Sequence, residues 1–182
     1  MPDHPTTDNI LTSDKILTND KAPTAGHCDN LHTLLQLPST TEQQVLRSFL
    51  CFDYGLGRIG VAKGQTFIKT ASPLMPLKAK DGQPNWDQVA QLVKEWQPDA
   101  FVVGLPLNMD GSLSDMGTRA IKFAKRLHGR FGKPYFLCDE RLSSRAAKEQ
   151  VIEQQGYTDF GQHSVDGLAA QLILETFFSQ LI

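Results

Sequence analysis

The chain has 182 residues, 40% of them hydrophobic, and its 18 Lys and Arg nearly balance 20 Asp and Glu. That length suits one compact domain with a little left over, and no run approaches the roughly 20 apolar residues that cross a bilayer. A formal charge of -2 argues against a protein that holds polyanions through bulk charge alone.

No Phe, Tyr or Trp precedes Phe49, and the early stretch is rich in Thr, Asp, Asn and Gln. Such a segment buries too little apolar area to offset its ordering entropy. Residues 1–46 are therefore expected to be a disordered N-terminal tail, and residues 47–182 one folded domain. The tail opens with Asp3 and His4, without the apolar run of a secretory peptide or the basic residues of a transit peptide. Cys28, Cys51 and Cys138 are odd in number and irregular in spacing, and the latter two lie inside apolar runs. They read as small buried hydrophobes in a reducing cytoplasm.

Phe49 to Tyr54 is short, apolar and aromatic, a buried strand with Asp53 at its carboxyl end. Arg58 to Ala62 alternates around Ile59 and Val61 with small residues between. Lys63-Gly64-Gln65 reads as a tight turn and Thr66–Thr70 as a third antiparallel strand. Ser72 to Asn85, with Pro73, Pro76, Gly82 and Pro84, reads as a loop. The period then changes. Trp86, Val89, Leu92, Val93 and Trp96 keep helical spacing up to Gln97-Pro98. A strand over 100–103, a loop over 105–114 with an Asp110-Gly111 turn, a helix over 115–128 and a strand over 135–138 follow. Then come a helix over 145–154, a loop over 156–161 and a last helix over 165–181. This order predicts an α/β fold: a mixed five-stranded sheet, three antiparallel strands then two parallel, with helices on both faces.

Acids stand where such sheets bind ligands, at the carboxyl ends of strands. Asp53 could also be a turn residue before Gly55. Gly55, Gly57 and Gly60 match Gly-x-Gly-x-x-Gly, but Ile59 and Val61 alternate as a strand, whereas that fingerprint opens a helix. Of Asp139 and Glu140, neighbours on a strand, only one can share a face with Asp53. Asp166, in a first helical turn, suits the helix dipole by itself. Three acids far apart in the chain suggest a site for Mg²⁺ or Mn²⁺, since hard cations take carboxylate oxygens and two ions together can hydrolyse a phosphodiester. No Ser or Cys nucleophile has a recognisable setting, and His128 and His163 are flanked by loop-like sequence.

At these residues the chain from about Ser48 onward resembles the YqgF-type (RuvX-type) family of RNase H-like proteins, the pre-16S rRNA nucleases. The resemblance lies in Phe-Asp-Tyr-Gly-Leu-Gly-Arg-Ile-Gly-Val-Ala (52–62), Val-Gly-Leu-Pro-Leu-Asn-Met-Asp-Gly (103–111), Asp-Glu-Arg-Leu-Ser (139–143) and Val-Asp-Gly (165–167). It implies an RNase H-like sheet, a cytoplasmic hydrolase that trims the 5′ end of precursor rRNA, and Asp53, Glu140 and Asp166 as catalytic metal ligands. In the family the last motif usually reads Asp-Ser, and here Gly167 follows Asp166. Related junction resolvases carry a further acid one turn later, where this chain has Ala169, which weakens a reading as a DNA-junction resolvase.

For substrate, nine basic residues against two acids fall between Arg119 and Lys148. Arg119, Lys122 and Arg126 share one helical face, the expected contact to an RNA backbone. Asn108 and Arg141 are further expected contacts. The expected partner is precursor rRNA or a pre-ribosomal particle, with no membrane, the protein being a monomer or weak homodimer. The main alternative is a non-catalytic nucleic-acid-binding accessory of ribosome assembly or transcription. A sugar-kinase or actin-like ATPase needs two such domains, and this chain has room for one.

Overall fold

The computed structural model describes residues 35–141 and 165–181. Its elements run α1 (Thr40–Val45), β1 (Ser48–Asp53), β2 (Arg58–Gln65), β3 (Thr70–Lys80), β4 (Gln83–Pro84), α2 (Trp86–Trp96), β5 (Ala100–Leu105), α3 (Asp115–Phe131), β6 (Tyr135–Asp139) and α4 (Val165–Ser179). The sheet order is β4-β3-β2-β1-β5-β6. β1, β2 and β3 pair antiparallel, whereas β5 joins β1 and β6 joins β5 in parallel. The expected RNase H-like plan is present with one strand more, the two-residue β4. An Asp81-Gly82 turn makes β4, both residues at positive φ (49° and 74°) as a type I′ hairpin requires.

Two apolar layers sandwich the sheet. Leu50, Phe52, Ile59, Val61, Phe101 and Val103 pack with Val89 of α2 and Ala120, Phe123 and Leu127 of α3. The alternate residues Phe49, Cys51, Ala62 and Val102 pack with Ile173, Leu174, Phe177 and Phe178 of α4. Phe49 meets both Phe177 and Phe178 at 5.7 and 5.6 Å between ring centroids. Burying one such ring stabilises by roughly 2–3 kcal/mol before entropy is counted.

The third strand is not where the sequence places it. Lys63, Gly64 and Gln65 are in β2, the turn is Thr66–Lys69 with Lys69 at φ 49°, and β3 occupies most of the expected loop. Gly64 is there for packing: a Cβ would stand 2.7 Å from the Phe178 ring and 2.8 Å from Leu174. Pro73 and Pro76 disguise β3, yet they cost little on a strand whose outer edge, among the described residues, is unpaired until Ala79 meets Pro84. Phe67, apolar but 93% exposed, is the turn tip.

Residues 35–46, assigned to the tail by composition, include α1. Its N-terminus is a capping box, with Ser39 N–H donating to Glu42 at 2.7 Å and Glu42 N–H to Ser39 Oγ at 3.3 Å. The helix expected over 145–154, the loop over 156–161 and residues 1–34 lie outside the described residues.

Candidate active site

β1 sends Phe49 and Cys51 toward α4, so alternation sets Asp53 on that face too. On β6, Cys138 faces α4 and Glu140, two residues on, follows it. Glu140 N–H makes the last rung of the parallel ladder, to Leu105 O at 3.3 Å. Its carboxylate lies over Gly104, where a Cβ would collide with Oε1 and stand 3.2 Å from Cδ. Gly104 follows the Phe52–Val103 pair and so lies level with Asp53. On the other flank Gly60 is opposite Asp53 in register. A Cβ at Gly60 would be 3.3 Å from Asp53 Cβ and 2.7 Å from the Asp166 carbonyl carbon. Asp53, Glu140 and the backbone of Asp166 thus share one face at one sheet edge, seated against two glycines.

The side chain of Asp166 turns toward Arg58, whose Nη1 lies 3.5 Å from Oδ2. Among the described residues no three His, Cys, Asp or Glu side chains stand close enough to share one ion. The chemistry of the donors nevertheless suits a hard cation, because every candidate atom is a carboxylate oxygen. The nearby thiols do not compete. Burial pushes Cys51 well above its ordinary value, with charge on Cys138, Asp53 and Glu140 adding to the effect. Burial and the charges of Asp139 and Glu140 push Cys138 up to about 12.

Asp139 faces the opposite layer and is 6% exposed. Arg141 pairs with it: the backbone N–H donates at 2.9 Å, Nε at 3.1 Å to each oxygen, and Nη2 at 2.7 Å. The same bonds raise the Arg141 pKa. The guanidinium that sequence assigns to substrate is thus engaged with Asp139, and its Nη1 lies against the Gly111 turn.

Asn108, another expected contact, closes its own loop, donating Nδ2 to Ser112 Oγ at 2.8 Å. Asp110 accepts from Ser112 N–H at 2.9 Å and Oγ at 2.6 Å, so Asp110-Gly111 is the turn expected. The basic face of α3 lies apart from these acids. α3 packs on the layer opposite α4, away from Asp53 and Glu140, because Ala120, Phe123 and Leu127 bury against Phe52 and its neighbours. There Arg119 pairs with Asp81 at 2.9 Å, Arg126 donates to Gln83 at 2.6 Å, and Lys122 is exposed. Trp86 stacks on Phe123 in the core, and His128 Nδ1 contacts Lys133 O at 2.9 Å. Sequence reasoning missed Arg58, Lys78 and Lys80. Lys78 and Lys80 keep the period-two spacing of a strand, a signal hidden while residues 72–85 read as a loop.

A family model described as "RuvX: Holliday junction resolvase" matches residues 47–180. The chain belongs to the RuvX family. This RuvX chain is 56% identical over 133 residues to a protein of Chromohalobacter salexigens, covering 73% of the chain and 90% of that protein. It is 53% identical over 134 residues to one of Aeromonas salmonicida, covering 74% and 96%. Both carry the name "Putative pre-16S rRNA nuclease". Among solved structures, T. thermophilus RuvC in complex with a Holliday junction substrate aligns over 74% of this chain and 95% of its own. The TM-score is 0.45 and the identity 18%.

Proposed function

We propose that this RuvX-family nuclease hydrolyses RNA phosphodiesters at the Asp53–Glu140 edge, trimming the 5′ end of precursor 16S rRNA in the cytoplasm. The observation that carries the reading is the seating of Asp53 and Glu140 on the α4 face, against Gly60 and Gly104, with Asp166 in the first turn of α4 against Gly60 as well. Two carboxylates on one face, carried by the strands on either side of β5, repel one another, and a bound cation offsets that repulsion. Asp53, Glu140 and Asp166 would hold Mg²⁺ or Mn²⁺, which supplies an activated water and charge stabilisation at the leaving oxygen. The strand ends fix Asp53 and Glu140 in place. Asp166 is the adjustable member, since its partner Arg58 is largely exposed.

The pairing of Asp166 with Arg58 also favours a second reading, an RNA-binding assembly factor that keeps the acids without turnover. A cleavage assay on a precursor 16S rRNA 5′ end, with and without Mn²⁺, separates the two. Wild type should release metal-dependent fragments, while Asp53→Asn and Glu140→Gln should lose at least a hundredfold in rate. Binding without fragments under any metal would leave only the second reading.

A further inference from the structure

Lys78 and Lys80, which stand in a row with Arg58, have no role in anything described above. Arg58 and Lys78 are register partners across β2 and β3, so their side chains project from the same face. The bulge near Gly60 leaves Ile59, Leu77 and Ala79 toward α2 and α3, which turns Arg58, Lys78 and Lys80 to the α4 side. α4 covers β2 from Gly60 to Gly64, with Leu174 and Phe178 over Gly64 and Asp166 over Gly60. Arg58 and the two lysines therefore stand just past its first turn. All three are exposed.

Like charges side by side across strands destabilise a sheet. Among the described residues Arg58 finds Asp166, but Lys78 and Lys80 have no ion pair. Asp81, the acid nearest in sequence, turns away to Arg119 of α3. The row crosses one strand spacing, roughly 5 Å, and then runs two residues, roughly 7 Å, along β3, on the face that carries Asp53 and Glu140. A cationic track that begins beside the acids and leads away from them fits one kind of partner, a polyanionic chain whose backbone must pass over the acids.

We propose that the phosphate backbone of the RNA substrate runs along Arg58, Lys78 and Lys80 on the α4 side, not along α3. This rests on the nuclease reading for its substrate, but its test does not need turnover. A fluorescent single-stranded RNA carrying a precursor 16S rRNA 5′ sequence is titrated by anisotropy in EDTA at several salt concentrations. The comparison is wild type, Lys78→Gln/Lys80→Gln, and the charge-matched Lys122→Gln/Arg126→Gln on α3. The β3 double variant should weaken binding by an order of magnitude or more and reduce the log–log salt slope by about 1 per lysine. Its unfolding midpoint should stay the same or rise, because a like-charge pair has been relieved. The α3 variant should keep the wild-type slope. An unchanged slope for the β3 variant, or equal losses from the two variants, overturns the proposal. Failure of the nuclease reading shows differently, as intact binding without metal-dependent fragments.

Discussion

Gly60→Ala tests the architecture of the site with a single methyl group. In the structure that methyl would sit 2.7 Å from the Asp166 carbonyl carbon, with the carbonyl oxygen nearer still. Ordinary contact begins near 3.4 Å, so the first turn of α4 must withdraw by roughly 1 Å. The obstacle is backbone, not the free end of a side chain, and β2 is locked between β1 and β3. Overpacking of this kind costs about 2 kcal/mol, a fall in Tm of roughly 6 °C for a domain of this size. A displacement of about 1 Å at a reacting group costs on the order of a hundredfold in rate. The assay is thermal unfolding beside metal-dependent cleavage of precursor rRNA, with Gly57→Ala as control. A Cβ at Gly57 meets nothing within 4 Å, so that variant should match wild type in both. A Gly60→Ala protein as stable and as active as wild type would refute the seating of α4 against β2 and the assignment of Asp166 to the site.

Two further outcomes follow from buried and half-buried groups. Asp99 accepts Arg47 N–H and Ser48 N–H, each at 2.8 Å, and the Ser48 hydroxyl at 3.0 Å. Burial opposes its ionisation, but these bonds outweigh burial and lower its pKa. A carboxylate lowered in the folded state stabilises above its unfolded pKa and loses that contribution as pH falls through the folded value. Asp99→Asn should therefore cost about 1–2 kcal/mol at neutral pH and flatten the loss of stability of the wild type below about pH 4, as followed by urea unfolding. Equal pH slopes for the two proteins would contradict this. In a Cys28→Ser background, Cys51 and Cys138 should resist a thiol reagent at pH 8 and react once the chain is unfolded, since burial suppresses both thiolates. Fast labelling of the native protein would show that the layer under α4 opens.

Much of the plan was legible in the chain because local physics dictates it. The aromatic run 49–53, the helical spacing of Trp86 to Trp96 and the apolar runs at 100–103 and 135–138 each carry their own period, and each lies within one element. Alternation also restricts Asp53 to partnership with one of Asp139 and Glu140. It could not say which, and the resemblance to a family chose Glu140. The structure supplies the reason in Gly104, a gap on β5 that only the folded sheet brings under Glu140.

The remainder depended on contacts between distant segments. Gly64 looks like a turn because glycine frees the backbone, yet it answers to Phe178, more than a hundred residues away. Pro73 and Pro76 look like loop residues, and an outer edge of β3 left unpaired at these positions among the described residues makes them harmless. The basic face of α3 reads well as a helix face, but no single helix says against which side of a sheet it will lie. Packing of Phe123 and Leu127 against Phe52 decided that, sending Arg119 and Arg126 to the side away from the acids and leaving Arg58, Lys78 and Lys80 beside them. Period and composition fix what an element is and which of its faces is apolar. The layer it joins is set by complementary surfaces that exist only after the chain has closed on itself.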